Sequence, residues 1–221
     1  MMKFNLITIF PEIFSSYLQE GMLKRAIDKK IFSCNTVNLR DFTADKHKTV
    51  DDTPYGGGAG MLLKIEPLYQ ALKSLKAKPG LKTKKIILLS AAGKKWNQKM
   101  AQDYSKLKEI TFICGRYEGV DARIKEFIDE EISVGDYILT GGELPALTII
   151  DSVARLLPGV LGNNESTINE SHSKIGLGEY PQYTRPETFV AGKKKLKVPE
   201  VLLSGNHKNI EEWRRGNMKE I

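Results

Sequence analysis

Two glycine-bearing junctions hold the residue types that could do chemistry. Ser133–Ala146 reads SVGDYILTGGELPA, and Cys114–Asp121 reads CGRYEGVD. The apolar runs Ile132–Val134 and Ile110–Cys114 precede them, and each leads into an expected helix. Glycines at a strand–loop–helix junction let backbone amides approach a ligand with no Cβ in the way. Gly141-Gly142 alone reads equally as a tight turn at a helix cap. Two such loops so close in sequence point to one pocket built from both. A third stretch, Asp41–Gly60, lacks periodicity and holds His47, Asp51, Asp52, Pro54 and Tyr55 before GGGAG. It reads either as a surface loop or as a lid whose glycines and Asp51 approach a substrate. GGGAG contains GxGxG, but DDTPY rather than an apolar strand precedes it, which excludes a dinucleotide fingerprint. No GxxxxGK[ST] is present, so a Walker-type NTPase is unsupported. Arg155 is the only cation between Leu144 and Leu157, a pattern that an arginine snorkelling from a dimer face also explains.

The elements that must position these residues follow from the apolar pattern. Strands are expected at Lys3–Phe10, Ile31–Leu39, Ile86–Leu89, Glu109–Cys114 and Glu131–Val134, with a further apolar piece at Tyr137–Leu139. Helices are expected at Glu12–Gln19, Met22–Lys29, Ile65–Leu75, Trp96–Tyr104, from Asp121 (a sound N-cap) to about Asp129, and at Glu143–Leu157. Three apolar strands end in small-residue loops, one of them Ser90-Ala91-Ala92-Gly93. The alternation gives an α/β class with a parallel sheet and a ligand at its C-terminal edge. Asn163–Gly178 is polar and reads as an interdomain linker. The resulting organisation is a domain over 1–161, a linker over 162–178 and a small domain over 179–221, with short helices at Val198–Ser204 and Asn209–Arg215.

Composition bounds the partners. The net charge of +7 and pI near 9.2 suit either a polyanionic partner or a basic enzyme with solvated lysines. No run of about 18 apolar residues indicates a membrane span. The opening MMKFNLITIFPEIF reads as a strand and not as a signal peptide. Cys34 and Cys114 read as buried free thiols of a reducing compartment. The three histidines lack metal-ligand spacing, and there is no CxxC, so there is no zinc signal.

The chain closely resembles the bacterial tRNA (guanine-N1)-methyltransferase family, TrmD, of the SPOUT class. The resemblance rests on ITIFPEIF, DDTPYGGGAGM, CGRYEGVDAR, VGDYILTGGELPAL, ARLLPGVLG, YPQYTRPE, and VPEVLLSGNH followed by EEWRR, in order over nearly the whole chain. It implies an α/β fold whose mostly parallel sheet carries a deep trefoil knot, lying here roughly between Leu88 and Gly142, plus a small mainly helical C-terminal domain. It also implies S-adenosylmethionine bound in the knot, a cytoplasmic homodimer with its active site across the interface, tRNA contacts from the C-terminal region, and a link to Mg²⁺ by resemblance alone. The carried-over cofactor positions are Leu88, Leu89, Ser90, Gly115, Tyr117, Glu118, Gly119, Val134, Gly135, Asp136, Tyr137, Ile138, Leu139, Gly141 and Gly142. Substrate contacts are expected from Asp51, Gly60, Ser171, His172 and Arg185.

The resemblance makes Arg155 the catalytic arginine, stabilising negative charge on the guanine ring oxygen. A carboxylate must take the N1 proton. Family members commonly carry aspartate followed by serine there; this sequence has Glu170-Ser171-His172, so Glu170 is the expected base, with Glu165 and His172 as alternatives. Further departures are Thr53 for the usual arginine, Ala91-Ala92 for Pro-Gln, Gly178 for an apolar residue, and an early end after Trp213-Arg214-Arg215. The expected activity is methylation of the guanosine just 3′ of the anticodon. The alternatives are another SPOUT-type RNA methyltransferase and a non-catalytic RNA-binding relative.

Overall fold

A computed structural model describes residues 1–161 and 177–220. The chain falls into two compact units, Met1–Gly162 and Asn163–Ile221.

In the first unit the order is β1 (Met2–Thr8), α1 (Glu12–Leu18), α2 (Gly21–Asp28), β2 (Phe32–Asn38), β3 (Asp51–Asp52), β4 (Leu62–Leu63), α3 (Ile65–Ser74), β5 (Lys84–Lys95), α4 (Gln98–Tyr104), β6 (Glu109–Cys114), β7 (Glu130–Ser133) and α5 (Glu143–Ala154). Single 3₁₀ turns occupy Leu39–Phe42 and Ala122–Phe127. Five strands form one sheet in the order β2-β1-β6-β5-β7, every neighbouring pair parallel. The sheet is apolar on both faces because alternate residues point to opposite sides. Phe4, Leu6, Ile87, Leu89, Ile110 and Phe112 pack against α1, α2, α4 and α5. Ile7, Ile86, Leu88 and Ile113 pack with Leu68, Ala71 and Leu72 of α3. All strands run the same way, so their exits gather at one edge.

Two local expectations change. The strand expected to stop at Leu89 runs to Lys95, bulging at Ser90–Gly93 before it pairs with β7 again. The further apolar piece, Tyr137–Leu139, is part of a bent loop. The helix expected from Asp121 is a 3₁₀ turn, capped as expected by the Asp121 carboxylate, which accepts from Arg123 N–H.

The second unit contains β8 (Leu177–Gly178), β9 (Thr188–Ala191), β10 (Lys194–Lys197), α6 (Glu200–Leu203), α7 (His207–Gly216) and β11 (Lys219–Glu220). β9 and β10 form an antiparallel hairpin turning at Gly192, whose φ of +61° suits glycine. β8 pairs with β11. The mainly helical expectation for this region is therefore corrected to a mixed one: the lysine cluster 193–197 is largely a hairpin strand. Tyr183 packs on Trp213, and the Arg214 guanidinium lies 5.1 Å from the Tyr180 ring centroid.

Both cysteines are free thiols. Burial pushes the Cys34 thiol up from 9.0 to about 12. Cys114 is held well above 9.0, first by burial and then by the negative charge of Glu143. An unfolded thiol loses its proton near pH 9 while folded Cys34 keeps its own to about 12, so in that window the unfolded state binds fewer protons. Stability therefore falls as pH rises from about 9 to about 12, by at most about 4 kcal/mol from Cys34 alone. Melting temperature against pH should drop over this range, less steeply in Cys34→Ala.

Candidate active site

The exits of β5, β6 and β7 meet at the C-terminal edge of the sheet and enclose a pocket of about 530 Å³. β5 leaves the sheet at Leu89 and returns at Lys94, pairing with Ile132 of β7 on both passes. Gly93 permits this: a Cβ there would stand 2.5 Å from the Ile132 nitrogen. β6 ends at Cys114-Gly115 and turns through Tyr117 and Gly119, both at positive φ. β7 ends at Ser133, whose hydroxyl donates to the Gly135 carbonyl at 2.9 Å. The Tyr137 ring then folds over Gly135, where a Cβ would meet ring carbon Cε1 at 2.3 Å.

The loop that follows passes back over the end of β6. Gly142 N–H donates to the Gly115 carbonyl at 2.9 Å. A Cβ on Gly142 would lie 2.7 Å from the Cys114 Cα. Apolar side chains on this loop are left in the open: Ile138 is 83% exposed and Tyr137 57% exposed, which gains nothing for the fold but suits a wall awaiting a ligand.

A buried polar network ties the loop exits together. Glu143, the first residue of α5, is buried. Its carboxylate accepts from Thr8 Oγ1 at 2.7 Å and from Arg116 Nε at 2.9 Å. Arg116 Nη1 also donates to the Thr140 carbonyl at 3.2 Å, and its guanidinium lies 4.8 Å from the Phe10 ring centroid. Sequence reasoning did not single out these three residues, although Arg116 and Glu143 stand inside the two glycine-bearing motifs. The signal was a charge inside each junction: Arg116 just after β6 and Glu143 at the start of α5.

The 51–63 segment reaches the same rim. Asp51 of β3 pairs with Leu63 of β4. Leu63 N–H donates to the Gly119 carbonyl at 3.0 Å, and Glu118 N–H to the Met61 carbonyl at 3.1 Å. Gly60, at φ +83°, lies so close that a Cβ would meet Glu118 Cγ at 2.4 Å. Nearby, hydrogen bonds from Arg123 hold the Asp121 carboxyl below its ordinary range.

The model of the tRNA (guanine-1)-methyltransferase TrmD family matches residues 2–220. A tRNA (guanine-N(1)-)-methyltransferase of Lactobacillus johnsonii is 55% identical over 96% of this chain and 84% of its own. Those of Dictyoglomus turgidum and Clostridioides difficile are each 51% identical over 97% of this chain, covering 84% and 91% of their own lengths. The chain belongs to the TrmD family.

Of the cofactor positions that the TrmD resemblance marks, Leu88, Leu89, Ser90, Gly115, Tyr117, Glu118, Gly119, Val134, Tyr137, Ile138, Leu139, Gly141 and Gly142 line the one pocket. Gly135 and Asp136 do not line it: Gly135 lies under Tyr137, and Asp136 pairs with Lys95. Arg155, half-buried, caps the far end of α5. Ten residues of helix separate it from pocket-lining Pro145, a rise of about 15 Å at 1.5 Å per residue. Arg185 is an exposed residue of the second unit. Glu165, Glu170, Ser171 and His172 lie outside the described residues. Among the described residues, no group of three or more His, Cys, Asp or Glu is placed to hold a metal ion, and no helix is long and apolar enough to cross a membrane.

Proposed function

We propose that this enzyme transfers a methyl group from S-adenosylmethionine to N1 of the guanosine immediately 3′ to the anticodon of tRNA. The observation that carries the reading is the pocket itself: three strand exits converge on it, through glycines that admit backbone where a Cβ would collide, in a chain of the TrmD family. Its volume falls within the range of about 300–1,000 Å³ usual for small-molecule sites. Leu88, Leu89, Val134, Ile138 and Leu139 offer apolar cover for a purine ring, and the loop backbone at Gly115 and Gly141 offers hydrogen-bonding groups. When bound, S-adenosylmethionine supplies an electrophilic sulfonium methyl group. The same glycine crossings support a knotted path: at Gly93 and at Gly142 one stretch of backbone passes another with no room for a side chain.

The chain's own residues then act on the acceptor. Guanine N1 carries a proton and is a poor nucleophile until that proton leaves. Glu170 takes it as the general base. The electron density left on the base spreads onto its ring oxygen, where the Arg155 guanidinium stabilises it. Arg155 does not line the pocket of its own chain and stands ten helical residues from pocket-lining Pro145, which supports an arginine supplied to each pocket by a second copy, in a homodimer with shared sites. Asp51 and Gly60, Ser171 and His172 (which follow Glu170 in sequence), and Arg185 contact the RNA. The positive charge of the chain, including the 193–197 hairpin and Arg214-Arg215, meets its phosphates in the cytoplasm.

Labelled methyl transfer to two tRNA transcripts tests the reading, one with guanosine and one with adenosine 3′ to the anticodon. The expected result is 1-methylguanosine in the first transcript and no label in the second. Label elsewhere, or in both transcripts, would assign a different RNA methyltransferase. Cofactor and tRNA binding without turnover would assign a non-catalytic relative.

A further inference from the structure

The geometry points to Arg116 as a positioning residue that sets the affinity of the pocket by pinning the loop 137–142 through Glu143. The inference rests on reading the pocket as the S-adenosylmethionine site.

The loop has little of its own to hold it. Tyr137, Ile138 and Leu139 are all exposed. A backbone bridge between Arg116 and Gly141 and three hydrogen-bond anchors fix its far end. Gly142 N–H bonds to the Gly115 carbonyl, the Thr140 carbonyl accepts from Arg116 Nη1, and Glu143 is clamped between Thr8 and Arg116. Two of the three run through the Arg116 guanidinium. Its Nε–H and one Nη1–H are directed at different acceptors, which the planar fork of arginine can satisfy together and a lysine ammonium satisfies poorly. Gly141 leaves the space for this: a Cβ there would stand 2.2 Å from Arg116 Nε. Thr8 completes the clamp, accepting from Phe10 N–H at 2.9 Å while donating to Glu143. The ends of β1, β6 and the loop are thereby joined at one buried carboxylate. Losing Arg116 leaves Glu143 buried with Thr8 alone among those donors. It then pulls toward water and takes Thr140 and Gly141 with it.

Arg116 lines the pocket whereas its partner Glu143 is buried and does not, so the effect of Glu143→Gln separates positioning from direct contact. In Arg116→Gln the dissociation constant for S-adenosylhomocysteine, measured by calorimetry, should rise about 10- to 100-fold, the equivalent of one or two charge-assisted hydrogen bonds. KM for S-adenosylmethionine should rise in parallel, and kcat at saturating cofactor should fall by less. Glu143→Gln should reproduce the effect, and the double variant should bind no worse than the weaker single one, because both act through one contact. Arg116→Lys should recover part of the affinity. Amide exchange in the ligand-free Arg116→Gln protein should speed up about tenfold at 137–142 and stay unchanged in β1 and β6. Should Glu143→Gln fail to fold, Thr8→Val takes its place in the cycle.

Affinity within twofold of the parent in Arg116→Gln, or additive losses in the double variant, would overturn the inference; additivity would make Arg116 a direct ligand contact. A parent protein that binds no S-adenosylhomocysteine would instead overturn the reading of the pocket.

Discussion

Gly142→Ala is expected to abolish S-adenosylhomocysteine binding and to destabilise the first unit by about 3 kcal/mol or more. The new methyl group would lie 2.7 Å from the Cys114 Cα and 3.1 Å from the Gly115 nitrogen. These are backbone atoms at the exit of a central strand and cannot rotate aside. Relief requires the start of α5 to lift, which breaks the Gly142–Gly115 hydrogen bond and draws Glu143 away from Thr8 and Arg116. Overpacking of this kind typically costs about 1–3 kcal/mol, and each broken hydrogen bond adds about 1. Gly216→Ala is the matched control: its Cβ would meet nothing within 4 Å at the end of α7, so it should be neutral or stabilising by up to about 1 kcal/mol. Urea unfolding and calorimetry read both quantities. A Gly142→Ala protein within about 1 kcal/mol of the parent would show that the crossing is looser than the contact distances require.

Arg155→Ala is expected to lower the single-turnover methylation rate by about 10²- to 10³-fold, the usual loss when one donor to a developing oxyanion is removed. Affinity for S-adenosylhomocysteine should stay within about twofold, because Arg155 does not line the pocket of its own chain. Arg155→Lys should recover only part of the rate, keeping the charge but losing the fork. A parallel loss of cofactor affinity and rate would place Arg155 in cofactor binding instead.

Much of the frame is legible in the sequence because burial on both faces of a parallel sheet demands near-continuous apolar runs such as Ile86–Leu89 and Ile110–Cys114. The pocket is legible for a related reason, since small residues cluster where the chain must pass close to itself. What local pattern cannot show is what an apolar run is for. Tyr137–Leu139 is apolar, yet Ile138 is the most exposed of the three, and the run forms a pocket wall. Ser90–Gly93 looks like the end of β5, because small residues usually punctuate, but the chain re-enters the same sheet beside β7. The clamp at Glu143 joins residues 135 positions apart, so no local spacing reveals it. In the second unit the lysine run 193–197 shows its charge plainly and hides the alternation of a hairpin strand.

The most direct measurement is a subunit-mixing experiment. Arg155→Ala and Leu139→Glu, which sets a charge in the pocket wall, would each be prepared as an inactive protein, then unfolded, mixed and refolded together. If each site combines the pocket of one chain with Arg155 of another, a mixed dimer holds one intact site. Methylation of the guanosine transcript should then recover to about one quarter of the parent rate, as random pairing predicts. No recovery, with mixed dimers demonstrated in the sample, would mean that Arg155 and the pocket of a single chain must work together, and the shared-site mechanism would be contradicted.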